Sequence, residues 1–437
     1  MICKRIPSAF AVSFYILILN FNSRLLKKQY FLLFSCAFCF FNVDFAQVNQ
    51  SLKKDSLITP VEQDFSNERD IKDVFRSKSK NRKPLFEIDN ASKENQRHFS
   101  FVPAAGYTLQ TGFAGILSAN LAYYNDNSAD AKLSSISTSL TYSQYNQTII
   151  PFQADIWTKG GKYNIISDNR FISYPSSIFG LGGRTDPNKG VTINFSSIKL
   201  HETILKSVAK NFYIGLGIYY DDFWGIRALD PLTRRKDSLL TAELGKGETS
   251  VGLAFRLLYD SRLNQINPQN GWYYNLVYRS NQTFLGSEEN WSSLMLDVRK
   301  YFHFPAHSKN VLAFWNLDWV TTNGTPPYLL LPSTGWDDQY NSGRGYIQGR
   351  FRGKDMYYLE SEYRYRISRN GLLGGVLFAN VQRFSDDISK QFDTDIIGYG
   401  LGLRMKLNKH SGANLCLDYG FGKNGSQGFF VNLGEVF

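Results

Sequence analysis

The residues best suited to specific chemistry lie between positions 343 and 366. The segment Gly343-Arg344-Gly345-Tyr346 places an arginine between two glycines, and a second arginine-rich stretch covers 349–353. Beyond Tyr358, charged residues occupy every second position, namely Glu360, Glu362, Arg364 and Arg366. Because alternate residues of a strand share one face, these charges would form a ladder on one side of a sheet. A loop folded against that face could dock Arg344 on a carboxylate, whereas a surface loop would leave it solvated.

The histidines give little evidence for catalysis or metal binding. His303 and His307 flank a short turn without an evident third ligand, so solvated side chains are the better interpretation. His201, near Ser196 and Ser197, is the single hint of an embedded hydrolase, and a hydrogen-bonded wall residue is the better interpretation. The sequence therefore predicts no metal, no cofactor and no catalytic residue.

The elements that must position the charges are long strands. In 397–407 every odd-numbered residue is apolar, and every even-numbered residue is glycine, arginine or lysine. Similar alternation predicts sixteen strands, at 99–108, 112–124, 132–146, 149–159, 162–174, 192–203, 210–222, 248–261, 270–283, 290–303, 309–322, 355–367, 371–384, 395–409, 412–421 and 428–437. Most exceed ten residues, as a tilted membrane strand of about 9–11 residues requires. Strands of soluble proteins are usually about 5–6 residues long.

The connection lengths support a membrane barrel rather than a soluble sandwich. The long connections 175–191, 223–247 and 323–354 all follow odd-numbered strands, whereas connections after even-numbered strands are short. Outer-membrane barrels have long external loops and short periplasmic turns, which fits a chain with both termini periplasmic. The predicted fold class is all-β, with a sixteen-stranded antiparallel transmembrane β-barrel over 99–437 and loop 323–354 folded into its lumen. The apolar faces would contact outer-membrane lipid.

Composition excludes several other classes. The chain has 437 residues, of which 43% are hydrophobic and 20% charged. This is too polar for a bundle of membrane helices and too apolar for a disordered protein. The formal net charge of +11 falls to +7 when the five basic residues and Asp44 of the first 46 residues are removed. That modest charge forms no basic face, so nucleic acid is not an expected partner.

The first 98 residues predict a leader and a spacer. In 1–46, basic residues up to Lys28 precede an apolar run at 30–41, the order of a signal segment. Residues 47–98 are highly charged, which predicts a polar, flexible periplasmic spacer with one possible short helix near 68–76. Three of the four cysteines lie in the leader. The fourth, Cys416, is expected to be a buried thiol on the same face as Asp418.

The end of the sequence alternates like an outward-facing strand. Phe429, Val431, Leu433 and Phe437 share one face, interrupted by Glu435. A terminal aromatic residue on such a strand is the signal by which barrel-assembly machinery binds its clients through strand addition. The sequence therefore predicts that this chain is itself a client of that machinery.

Several motifs resemble those of the bacterial surface antigen superfamily, the outer-membrane barrels typified by BamA and TamA. The segments concerned are Arg344-Gly345-Tyr346, Asp260-Ser261-Arg262, 374–378, 417–420 and 434–437. The resemblance implies a sixteen-stranded barrel whose arginine loop, between strands eleven and twelve, tucks into the lumen. The predicted wall partners of that loop are Glu360, Glu362, Arg364, Arg366 and Asp418. Asn380 and Gln382 stand where the family pattern often has an acidic residue, so Glu360 or Glu362 is expected to pair with Arg344.

The resemblance also implies a function that is not enzymatic. It would be the insertion of proteins into the outer membrane, or their translocation across it, with outer-membrane proteins as clients. Family members usually carry periplasmic helper domains, and the 52-residue spacer does not look like one. Two alternatives remain open. One is a plugged pore or structural barrel that passes small solutes, and the other is the embedded hydrolase.

Overall fold

A computed structural model describes residues 68–76, 97–108, 111–127, 131–229, 236–237, 244, 249–337, 341–386, 392, 394–409 and 411–437. The predicted leader 1–46 lies outside the described residues. Of the predicted spacer 47–98, the described part is 68–76 and 97–98. None of the described helices is long and apolar enough to cross a membrane.

Sixteen long strands correspond one to one with the predicted strands. They are β1 (Arg97–Thr108), β2 (Gly112–Tyr124), β3 (Leu133–Ser143), β4 (Thr148–Trp157), β5 (Tyr163–Ser173), β6 (Val191–Ala209), β7 (Phe212–Leu229), β8 (Ser250–Asp260), β9 (Gly271–Asn281), β10 (Trp291–His303), β11 (Val311–Gly324), β12 (Asp355–Arg366), β13 (Leu373–Phe384), β14 (Ile396–Lys406), β15 (Asn414–Gly422) and β16 (Gln427–Leu433). Two short strands, Ser176–Ile178 and Lys236–Asp237, extend the sheet in the loops after β5 and β7.

The helical elements among the described residues are short. The α-helix α1 covers Ile71–Arg76, within the region where the sequence predicted a short helix. The 3-10 turns are Lys159–Gly161, Pro187–Lys189, Thr283–Leu285, Tyr328–Leu330 and Lys423–Gly425.

Each long strand pairs antiparallel with the next along the chain, so the sheet is one continuous meander. The last strand, β16, returns beside the first, with Cα atoms of β1 and β16 within 8 Å of each other. Within the described residues no backbone ladder joins these two strands, whereas every consecutive pair has one. We call this junction the seam. The arrangement confirms the predicted sixteen-stranded antiparallel barrel.

The outward faces are apolar and uncovered. On β14, Ile397, Tyr399, Leu401 and Leu403 each expose 54–57% of their surface, whereas their even-numbered neighbours face inward. On β7, Leu216 and Ile218 are 68% and 62% exposed. Large apolar side chains left in a continuous exposed band are expected where lipid, rather than water, covers the surface.

The connections divide the barrel into two unlike ends. The long loops 174–190, 230–249 and 325–354 follow β5, β7 and β11, while 210–211, 367–372 and 407–413 follow even-numbered strands. This agrees with the predicted odd–even pattern. We call the end with the connections after even-numbered strands the short-turn end.

The predicted last strand was too long by four residues. Strand β16 ends at Leu433, and Gly434 has φ +92°, a conformation that suits glycine and turns the chain out of the strand. Val436 and Phe437 are then 1% and 3% exposed and pack inside the barrel against Trp315 and Tyr301. The prediction that Glu435 and Phe437 continue an outward-facing alternation was therefore wrong, because period-two counting cannot detect a turn.

Candidate functional site: a charged cluster in the lumen

The loop between β11 and β12 can enter the barrel because glycines on the loop and on the wall leave room for its backbone. Gly345 has φ +109°, and a Cβ atom there would lie 2.6 Å from the carbonyl oxygen of Phe421. On the facing wall, a Cβ atom at Gly420 would lie 2.6 Å from the amide nitrogen of Gly345. Real Cβ atoms do not approach so closely, so the wall and the loop each need glycine at this crossing.

Arg344 is the centre of the site and is 1% exposed. Its guanidinium pairs with three carboxylates, those of Glu360, Glu362 and Asp418. Its other side lies over the ring of Phe378, with the guanidinium carbon 3.7 Å from the ring centroid. Burial alone would lower the pKa of Arg344, but the three carboxylates outweigh burial and raise it above its usual value. The arginine therefore stays charged.

Two further arginines extend the cluster toward the short-turn end. Arg404 on β14 pairs with Asp418 and, at 2.8 Å, with Glu435. Arg364 on β12 pairs with Glu362 at 2.6 Å and donates to the backbone oxygen of Phe437 at 2.9 Å. We call the group Arg344, Glu360, Glu362, Arg364, Arg404, Asp418 and Glu435 the lumen cluster. It connects the loop, strands β12, β14 and β15, and the segment that follows β16.

Neutral side chains complete the docking of the loop. The hydroxyl of Tyr358 donates to Glu360 and accepts a hydrogen bond of 3.0 Å from the amide of Gly343. Asn380, at the position where an acidic residue is common in the family pattern, donates to the carbonyl oxygen of Arg344 at 3.0 Å. Gln382 accepts from the hydroxyl of Thr334 at 2.8 Å. Asn380 therefore holds the loop backbone and Gln382 holds a loop side chain, while the carboxylates bind the guanidinium.

Tyr346 ties the loop to the neighbouring strands. Its hydroxyl donates to the carbonyl oxygen of Ile397 at 2.6 Å and accepts from the amide of Lys423 at 2.7 Å. Ser426 donates to the carbonyl oxygen of Gly345 at 2.7 Å. The whole segment Gly343–Tyr346 is thus held by main-chain and side-chain contacts as well as by charge.

The loop is also tied to the long loop after β5. Arg350 donates to the side chain and carbonyl oxygens of Thr185, both at 2.6 Å, and Tyr174 donates to Gln348 at 2.6 Å. The amide of Gly182 donates to the carbonyl oxygen of Arg352 at 2.7 Å. The long loops after β5 and β11 therefore pack together at the end of the barrel opposite the short-turn end.

The remaining predicted site residues lie elsewhere. Arg366 ends the inward row of β12 and pairs with Glu68 at 2.6 Å, outside the lumen cluster. On β16, Phe429 and Leu433 are 43% and 48% exposed and Val431 is half-buried, whereas Phe437 is buried inside. Only the first three of these four predicted signal residues belong to the strand.

Sequence reasoning missed Arg404 and Glu435 as members of the cluster. The sequence could have identified Arg404, because it shares the even-numbered face of β14 with glycines, and that face was predicted to point inward. The signal for Glu435 was absent, since the turn at Gly434 reverses the face predicted by counting. Cys416 is fully buried, and its sulfur lies 3.0 Å from the carbonyl oxygen of Gly434.

The other half of the lumen is open. A cavity of about 1190 Å³ extends along the inner faces of β1 to β11 and is lined by polar and charged side chains together with apolar ones. His201 lies here, with its Nε2 atom 2.9 Å from Asp221 and its ring stacked 3.9 Å from that of Tyr219. Ser197 is four residues along the same strand, roughly 13 Å away, and Ser196 points to the opposite face. No serine nucleophile is thus positioned on His201 by this strand.

No group of three or more potential metal ligands occurs within the described residues. The fold and the site together define an antiparallel outer-membrane-type barrel with an arginine loop docked in its lumen. The Omp85 superfamily domain matches residues 192–437, which is more than half of the chain and includes the loop and every strand of the lumen cluster. The chain belongs to the Omp85 superfamily, which confirms the resemblance drawn from its motifs.

Three solved structures are similar at low sequence identity. BamA from Haemophilus ducreyi lacking POTRA domains 1-3 is 12% identical, with 77% of this chain and 70% of that chain covered and a TM-score of 0.48. CdiB from Acinetobacter baumannii is 13% identical, with 78% and 60% covered and a TM-score of 0.49. CdiB from Escherichia coli is 10% identical, with 77% and 62% covered and a TM-score of 0.51, which supports the fold. This chain therefore spans about three fifths of either CdiB structure, and no curated protein matches it significantly.

Proposed function

We propose that the protein resides in the bacterial outer membrane and helps to insert client proteins into it or to move them across it. Family membership supports the outer-membrane location and this general role. The short-turn end would face the periplasm, and the protein would itself be assembled by the barrel-assembly machinery, with Phe429, Val431 and Leu433 contributing to the signal. Outer-membrane lipid and outer-membrane protein clients are the proposed partners.

The seam is the observation that carries this proposal. Strands β1 and β16 lie side by side without a ladder in the described residues, so their edges offer unpaired backbone groups. A client strand can add to such an edge by ordinary backbone hydrogen bonding. Phe99 and Phe101 on β1 are 71% and 60% exposed next to this edge. The lumen cluster would hold the wall of β12 to β15 rigid while the seam opens.

Site-specific photo-crosslinking in cells tests the proposal. A photoreactive residue at Phe101 should capture newly made outer-membrane proteins. The matched control is Leu216 on β7, which is 68% exposed on the wall away from the seam and should capture lipid only. Equal capture of proteins at both positions would refute a role for the seam.

The open half of the lumen favours a second candidate, a plugged pore for small solutes. The cavity of about 1190 Å³ is lined in part by polar and charged residues, and Leu329, Trp336 and Asp337 of the loop between β11 and β12 border it. Liposome swelling by small sugars, with normal outer-membrane protein content in cells depleted of the protein, would favour the pore. Loss of outer-membrane proteins on depletion without any swelling activity would favour insertion or translocation.

A further inference from the structure

The short helix α1 begins with acidic residues, and their side chains cap the backbone amides at this end of the helix. The amide of Asp70 donates to the carboxylate of Asp73, and the amide of Asp73 donates to that of Asp70, each at 3.2 Å. This is the reciprocal arrangement of a capping box. It fixes the two carboxylates, with Glu68 just before them, at one end of the helix.

This acidic end is docked on two connections of the short-turn end. Glu68 pairs with Arg366 at 2.6 Å, and the amide of Arg69 donates to the carbonyl oxygen of Asn370 at 2.9 Å. Asp73 pairs with the side chain of Lys409 at 3.0 Å, and Asp70 accepts from the amide of Lys409 at 3.2 Å. Residues 68–73 therefore bridge the turn after β12 and the turn after β14.

The docking position is at the mouth of the lumen. The turn after β14 also lines the cavity of about 1190 Å³, through Asn408, Ser411 and Ala413. Arg366 is the last inward-facing residue of β12, so Glu68 reaches the end of the charged row that begins at Tyr358. Movement of α1 would thus uncover a charged edge of the cavity mouth.

We propose that residues 68–76 form a releasable strap over the short-turn end of the lumen. Each ion pair is partly exposed, with side-chain exposures of 29% and 14% for Arg366 and Glu68 and of 23% and 24% for Lys409 and Asp73. Pairs of this kind contribute little individually and are screened by salt, so the strap can open without unfolding the barrel. The surface around Arg366 and Lys409 is thus occupied by this segment of the same chain. The inference does not depend on the identity of any client.

Single-channel recording on the full chain in planar bilayers tests the strap. Substituting Lys409→Glu should raise the open probability on the order of fivefold, the factor that corresponds to one lost ion pair. The charge swap Asp73→Lys with Lys409→Asp should restore the original value. The matched control, Lys189→Glu, makes the same charge change on an exposed side chain at the opposite end of the barrel and should have no effect.

The strap can also be weakened without touching the barrel. Asp73→Asn changes only α1, so the barrel folds as before, and open probability should rise as it does for Lys409→Glu. Unchanged open probability in both Lys409→Glu and Asp73→Asn would overturn the proposal. So would a charge swap that behaves like the single variants, because a true pair must be restored by exchange.

Discussion

At the scale of single residues, Arg344 is a buried charge, with 1% of its surface exposed. Its positive charge is removed from water and stabilised by three carboxylates that are themselves almost fully buried. Removing one member of such a group is costly because the others remain buried without compensation. This cost would be absent if the loop were merely solvated, which was the alternative left open by the sequence.

Substituting Arg344→Ala should lower the free energy of unfolding by about 3–5 kcal/mol, since three buried carboxylates lose their shared partner. The measurement is denaturant unfolding in detergent or lipid, with heat-modifiability on gels as a second readout. The control is Arg383→Ala, which removes an exposed pair with Asp395 and should cost at most about 1 kcal/mol. Equal stability of both variants would show that the loop is not held by charge.

Arg344→Lys should not rescue this loss fully. An ammonium group is a point charge without the planar fork that reaches several carboxylates at once. The expected stability lies between those of the wild type and Arg344→Ala in the same unfolding assay. A lysine variant as stable as the wild type would indicate that net charge, rather than guanidinium geometry, holds the loop.

At the scale of elements, the loop and the facing strands depend on each other. The loop backbone passes so close to β15 that Gly420 cannot carry a side chain without moving Gly345. In return, the loop fills the space that glycines leave on the inner wall. Strand and loop therefore have to be considered as one packed unit.

Substituting Gly420→Ala should displace the loop and destabilise the barrel by about 1–3 kcal/mol, the usual cost of overpacking. Limited proteolysis within 341–353 should become faster, because the displaced loop is less protected. The control is Gly115→Ala on β2, where an added Cβ atom meets nothing within 4 Å. Identical digestion of the two variants would contradict the proposed interdependence.

At the scale of the whole molecule, the barrel inverts the usual distribution of apolar surface. The outside exposes large apolar side chains, while the inside holds buried charges and a cavity lined in part by polar residues. This arrangement is stable only where lipid replaces water around the outer faces. The stability of the fold therefore depends on lipid around the barrel.

Leu401→Arg, in the middle of β14, should cost about 2–4 kcal/mol for a barrel in a bilayer, because the charge would face hydrocarbon. Folding yield into lipid vesicles and unfolding in urea measure this cost. Ser137→Arg, which places the same side chain in the open cavity, should be far better tolerated. Equal tolerance of both substitutions would mean that water surrounds the outer face.

The amino-acid sequence by itself determined the strands, their number, the position of the long loops and the residues of the arginine motif. These features follow from period-two alternation and segment length, which are local properties of the chain. Only the tertiary structure decided that three of the predicted wall partners, Glu360, Glu362 and Asp418, all contact the one guanidinium of Arg344, and that Glu435 turns inward to Arg404. It also decided that α1 docks beside Lys409. These contacts join segments far apart in the sequence, and they depend on strand register and on one turn at Gly434 that alternation cannot reveal.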